Sequence, residues 1–215
     1  MRLVLASRNT HKLAELAELL APHEIEPLPP EIELPPETAT TFSGNALAKA
    51  RAAAVASGRP AVGDDSGIAA AALRGAPGVF SARFAGEGAS DEDNLAKLLR
   101  DVPADADRGV AYVCAVVYVE PGGAEQVVEA HCEGRLAAEP RGTGGFGYDP
   151  AFIPSDRDDG RTMAELSPEE KHAISHRGRA ARELVDWLAG ENGGSPRLPG
   201  PFELPRRGRR RGGAA

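Results

Sequence analysis

The stretch AVGDDSGIAAAALRGAPGVFSARFAG, residues 61–86, decides how the rest of the chain is read. Its apolar opening reads as a strand that stops at two adjacent carboxylates, Asp64 and Asp65, followed by Ser66 and Gly67. A strand ending on an acidic pair sets charged oxygens at a sheet edge, within reach of a hard cation. Gly75, Pro77 and Gly78 then turn the chain, and Ser81-Ala82-Arg83 brings a cation toward the same place. Taken alone, Asp-Asp-Ser-Gly reads better as a solvated turn. Four other stretches weigh against that.

Toward the N-terminus, Arg2–Ala6 reads as a strand, and Leu13, Leu16, Ala17, Leu19 and Leu20 mark one face of a helix. Between them lie Ser7, Arg8, Asn9, Thr10, His11 and Lys12. A strand, polar loop and helix N-terminus aim backbone N–H groups at one spot, which suits an anion. The plainer reading is a helix cap by Asn9 or Thr10. Residues 22–40 are Pro-rich and acidic, with Glu31, Glu33 and Glu37, and read as a strand and a loop. Thr41–Asn45 leads into an Ala-rich helix over 46–57 that carries Lys49, with Gly58 as its C-terminal cap.

Toward the C-terminus, Ser90 and Asp93 have capping-box spacing before another helix. Residues 109–119 and 125–136 alternate apolar and polar side chains around Pro121-Gly122-Gly123, so they pair as antiparallel strands. Gly142 to Pro150 holds four glycines around Phe146 and Tyr148, followed by Asp149; Gly147 and its neighbours let backbone approach a flat ligand that an aromatic ring stacks on. The alternative is a hairpin whose aromatics join the core. Ser167-Pro168-Glu169-Glu170 starts a further helix. On one continuous helix, at about 100° per residue, Lys171, His176 and Arg177 diverge. Their convergence requires a break near Ile174–Ser175; without it they are solvated charges on a surface helix.

Composition sets the bounds. A chain of 215 residues with 41% hydrophobic content can bury one sizeable core. Its net charge of −7 includes +4 from residues 191–215, leaving −11 on residues 1–190, a field that repels nucleic acid in general. The last 25 residues hold ten Gly or Pro and six Arg, and read as a disordered tail after a folded region at 1–190. No run approaches a membrane span and the N-terminus has no signal-peptide pattern, so a cytoplasmic setting is expected. Cys114 and Cys132, one in each paired strand, are too few for a disulfide framework; with His131 they make only an incomplete metal set.

The blocks ASRNTHKLAEL, TFSGNALAKA, GDDSGIAAAALRGAPGVFSARFAG, GTGGFGYDPAFIP and AELSPEEKHAISHRGRA stand in an order that closely resembles the non-standard purine nucleoside triphosphate pyrophosphatases, over about residues 1–189. The resemblance implies a mixed α/β fold: a long curved mixed sheet with flanking helices, two lobes, a central cleft, and usually a homodimer. It implies hydrolysis of dITP, ITP and XTP to the monophosphate and pyrophosphate with Mg²⁺. By position, Ser7, Arg8, Asn9, Thr10, His11 and Lys12 are expected on the triphosphate, Glu37 and Asp65 on the metal, Asp65 as proton acceptor, and Ser66 on substrate. Phe146, Gly147, Tyr148, Asp149, Lys171, His176 and Arg177 are expected around the nucleotide. Lys12, Lys49 and Lys171 also supply charge that explains how an acidic body accepts a triphosphate. Gly44 is a departure, standing where the family commonly has Glu. Two alternatives stay open: a nucleotide pyrophosphatase of other base preference, and a nucleotide- or nucleic-acid-binding module that uses the Arg-rich tail.

Overall fold

Short apolar runs give the inner strands of one sheet, and the computed structural model describes residues 1–190 of the chain. The strands are β1 (Arg2–Leu5), β2 (Glu24–Pro27), β3 (Ala61–Ala70), β4 (Gly109–Val119), β5 (Glu125–Leu136) and β6 (Phe152–Pro154). They lie in the order β2-β1-β3-β4-β5-β6. The first three are parallel and the rest antiparallel, so the sheet is mixed. Around it pack α1 (Thr10–Leu19), α2 (Phe42–Ser57), α3 (Asp91–Asp101), α4 (Pro168–Ile174) and α5 (His176–Leu188).

The central strand corrects the reading of Asp-Asp-Ser-Gly. It neither stops at the acidic pair nor turns there; β3 runs on to Ala70, with Asp64 opposite Val116, Asp65 opposite Ala115 and Ser66 opposite Cys114. Residue-by-residue pairing with the apolar β4 overrides the local turn preference of Asp, Ser and Gly. On its other side, β3 pairs with β1 only at Ala61 and Val62. Beyond that point its even-numbered residues face an open edge, and side chains satisfy the backbone there. Lys49 donates to the Asp64 carbonyl (2.7 Å), Ser66 N–H donates to the Asp65 carboxylate (3.0 Å), and Ile68 N–H donates to Ser81 Oγ (2.9 Å).

Two glycines set how closely the neighbouring elements approach this edge. A Cβ on Gly63 would lie 2.2 Å from the Ala46 carbonyl oxygen, so only glycine lets the Ala-rich face of α2 (Ala46, Ala50, Ala53) lie directly on β3. A Cβ on Gly67 would lie 2.4 Å from Ser81 Oγ, where the 3-10 turn Gly78–Arg83 packs. On the opposite face α1 and α5 bury Leu16, Leu20, Ala181 and Leu184 against β1 and β4. A third core, with Tyr112, Leu98, Phe152 and Met163, fills the far end of the sheet.

Other boundaries follow local chemistry. Helix α2 starts at Phe42 rather than Ala46, because the Thr41 hydroxyl accepts from Gly44 N–H and caps it. It ends at Gly58 in the left-handed conformation (φ 65°). Ser175, extended at ψ 153°, closes α4 and caps α5 through its hydroxyl, giving the break that convergence of Lys171 and Arg177 requires. The Ser90–Asp93 capping box and the β4–β5 pairing also form as expected. Among the described residues no helix is long and apolar enough to cross a membrane. The disordered-tail expectation falls on residues 191–215, outside the described ones.

Candidate active site

The cleft lies where β1 ends and β3 continues alone. Because the edge is open, side chains from both faces of β3 reach it: Asp65 from the α2 side and Ser66 from the α5 side. Asp65 sits between Gly63 and Gly67 along its face and is only 5% exposed. Its oxygens accept from neutral amides, Asn45 Nδ2 at 2.9 Å and Ser66 N–H at 3.0 Å. Burial, with the nearby Glu37 charge, raises its pKa to about 6 against the opposing pull of Lys49 and Lys12. Glu37 is bonded to Lys49, and although burial opposes it, Lys49 holds that carboxyl below its ordinary value.

The adjacent aspartate has the opposite environment. Asp64 is fully buried and points away from Asp65, into a cluster of cations. Lys12 contacts one oxygen; Arg177 Nε (3.1 Å) and the Cys114 thiol (3.0 Å) donate to the other. Burial alone would raise its pKa, yet Arg177 and Lys12 hold it far below the carboxylate range. Arg177 also donates to Ser66 Oγ (2.8 Å) and to Glu15 (2.7 Å). Glu15 carries Lys171 on its second oxygen (2.6 Å), and Lys171 reaches Asp149 at 2.7 Å. Every cation of the cleft is thus fixed by a carboxylate. An ammonium has three N–H groups and a guanidinium five, so each keeps at least one donor for a ligand.

The remaining wall is aromatic. Phe146 lies with its ring 5.1 Å from His11, with Lys171 and Arg177 at 5.1 and 5.7 Å from its centroid. His176 is buried and stacked on Tyr112 (4.4 Å, 10°), and its Nδ1 has no hydrogen-bond partner among the described residues. Burial, reinforced by Arg177 and Lys171, pushes its pKa well down, so the ring is neutral. Tyr112 donates to Asp149 (3.0 Å), and Asp149 also accepts from Phe146 N–H (3.0 Å), tying the glycine-rich loop to the sheet.

Most of the expected residues converge here. Ser7, Asn9, Lys12, Glu37, Lys49, Asp65, Ser66, Phe146, Gly147, Tyr148, Asp149, Lys171, His176 and Arg177 all line the cleft. Three do not. Arg8 turns away because its guanidinium holds the carbonyls of Leu28, Pro29, Pro30 and Ile32, so its role is to fix that loop. Thr10 is exposed on the first turn of α1, and His11 meets the cleft only through Phe146. Tyr148 lines the wall with its ring while its hydroxyl donates inward to Ser81. Gly44 supplies no carboxylate, and a Cβ there would meet Ala39 Cβ at 2.8 Å; Asn45 is the residue of α2 that hydrogen-bonds Asp65. Glu15, Asn45, Tyr112 and Cys114 are site-forming residues that sequence reasoning missed: each reads as ordinary helix surface or strand core.

The site defines an α/β protein in which four cations, Lys12, Lys49, Lys171 and Arg177, and the buried Asp65 gather where a sheet edge is left open. The chain is a member of the Ham1 family, whose pattern matches residues 3–187. A dITP/XTP pyrophosphatase of Streptomyces coelicolor is 49% identical over 195 residues, covering 86% of this chain and 95% of its own length. One of Nitrosomonas europaea is 48% identical over 203 residues, covering 92% and 98%. Among solved structures, a HAM1 protein from Coxiella burnetii matches with a TM-score of 0.79 at 43% identity, over 88% of this chain and 99% of its own. The nucleoside-triphosphatase / dITP/XTP pyrophosphatase from Mycobacterium abscessus gives 0.68 at 46% identity, over 87% and 100%.

Proposed function

We propose that the chain hydrolyses the bond between the α- and β-phosphates of dITP, ITP and XTP, releasing the monophosphate and pyrophosphate and so clearing these nucleotides from the pool. The observation that carries this reading is Asp65, a buried carboxylate held only by amides, in one cleft with Lys12, Lys49, Lys171 and Arg177. Phosphoryl transfer asks of a protein mainly placement and charge neutralisation. The cations meet the phosphates. Asp65 accepts the proton of the attacking water as the water oxygen bonds to the α-phosphorus, and the bridging P–O bond breaks with its electron pair on the departing pyrophosphate.

Glu37 and Asp65 also suit Mg²⁺, which is commonly held by one or two carboxylates together with substrate phosphates. No group of three His, Cys, Asp or Glu able to hold a metal occurs among the described residues. When bound, such an ion neutralises phosphate charge and acidifies water. Were Glu37 to ligate such an ion, its partner Lys49 would be available to the phosphates. For the base, Phe146 offers a stacking face, and Lys171, Arg177 and the neutral His176 offer donors that suit a 6-keto purine. A 6-amino purine leaves such donors unpaired. The family resemblance further carries a cytoplasmic homodimer, checked by cell fractionation and by light scattering on the purified protein.

Incubation with ITP, XTP, dITP, GTP and ATP tests the whole reading. ITP is expected to give IMP and pyrophosphate, with ATP turned over far more slowly. Orthophosphate release without added pyrophosphatase overturns the assigned bond, and equal use of ATP overturns the base preference. The pH profile tests Asp65 separately. Its deprotonated form is the proton acceptor, so kcat/KM for ITP is expected to rise with pH through about 6. A flat profile between pH 5 and 8 removes Asp65 from that role.

A further inference from the structure

Arg177 and Lys12 reach the cleft from different helices, and both are anchored on the carboxylate of Asp64. The third contact of that carboxylate is the thiol of Cys114, on β4 directly across from Ser66, which is itself a partner of Arg177. Cys114 is fully buried and free. Asp64 already carries two cations, so a neutral donor restrains it without adding charge, whereas a hydrophobic side chain at the same place would leave that oxygen with Arg177 as its one remaining donor.

We propose that Cys114 is a positioning residue for nucleotide binding: its S–H donates to Asp64 and fixes the carboxylate orientation that presents Lys12 and Arg177 to the phosphates and base. Burial, and then the Asp64 charge, push the thiol pKa well above its ordinary value, so the proton it donates stays in place across the working pH range. The hydrogen bond couples a core strand to two ligand-facing cations without Cys114 touching the ligand. This rests on the proposed nucleotide chemistry for its kinetic consequence, but the contact itself does not.

The test compares Cys114→Ser, which keeps a donor, with Cys114→Val, which keeps bulk and removes it. With ITP, Cys114→Val is expected to raise KM about 3- to 12-fold with kcat within about threefold, the scale of losing one hydrogen bond of ordinary strength, since a thiol is a weak donor. Cys114→Ser is expected within about twofold of the parent in both constants. A parent-like KM for Cys114→Val, or a Cys114→Ser variant as impaired as Cys114→Val, overturns the proposal. Should the Val variant not fold, Cys114→Ala takes its place. Urea unfolding reads the contact without substrate: the midpoint shifts of Cys114→Val and Asp64→Asn are expected to combine less than additively, and additive shifts overturn it. A parent enzyme inert toward ITP, together with non-additive shifts, rejects the proposed function while leaving the contact standing.

Discussion

Asp65→Asn is expected to lower turnover of ITP by at least ~10²-fold while leaving the folded protein more stable than its parent. The loss follows from removing a proton acceptor and a negative oxygen ligand without changing shape. Nucleotide affinity falls less, since Lys12, Lys171 and Phe146 remain. The gain in stability follows from linkage. A carboxyl whose pKa is raised on folding binds its proton more tightly in the folded state, so its contribution worsens as pH rises from about 4 through about 6. At pH 7.5 the buried charge is a net cost, at most about 3 kcal/mol, that the neutral Asn does not carry. A metal-free melt at pH 7.5 checks the sign, and the difference between variant and parent should vanish near pH 4. A variant that is both active and less stable places the chemistry elsewhere.

Asp64→Asn is expected to do the reverse in stability. Pointing away from Asp65 does not make this side chain a bystander, because it faces Lys12 and Arg177. Removing one member of a buried ion cluster leaves Lys12 without its carboxylate and Arg177 with Glu15 alone, a loss of roughly 3 kcal/mol. The KM for ITP is expected to rise about tenfold as Lys12 loses its carboxylate and Arg177 one of its two, with a smaller change in kcat. Asp64 has a depressed pKa, so its contribution is present above the ordinary carboxylate range and is lost as pH falls below it. The parent should therefore lose its advantage over Asp64→Asn in acid. Unchanged urea midpoints at pH 7.5 would show that the cluster contributes nothing. Neighbours in sequence, the two aspartates are thus separated by one measurement that moves in opposite directions.

How much of this could be read from residues alone depends on how local the cause was. Strand β1, its polar loop and α1 were legible because an apolar run switches to a 3.6-residue period within a dozen positions. The Ser175 break was legible because a capping hydroxyl stands between two patterns that one helix cannot reconcile. The continuation of β3 through Asp-Asp-Ser-Gly was not, since what keeps it extended is a partner strand some fifty residues away. Glu15 looked like the solvent face of α1, and only the arrival of α4 and α5 makes it a shared counter-ion. Arg8 erred in the other direction. It stands in a loop aimed at an anion, but four carbonyls of the Pro-rich segment take its guanidinium first.

The open edge of β3 has a consequence for solubility. A strand with one unpaired side is a template on which another chain can add, and proteins commonly blunt such edges with charges or with a covering segment. Here Lys49, the Asp65 carboxylate and the Ser81 hydroxyl occupy edge groups of Asp64, Ser66 and Ile68, and α2 and the turn Gly78–Arg83 close over the strand through its two glycines. The cleft therefore guards the sheet against self-association as well as holding a ligand. Lesions at Lys49 or Ser81 should appear as aggregation during expression, beyond any effect on catalysis, and a bound nucleotide should suppress it as a chaperone would.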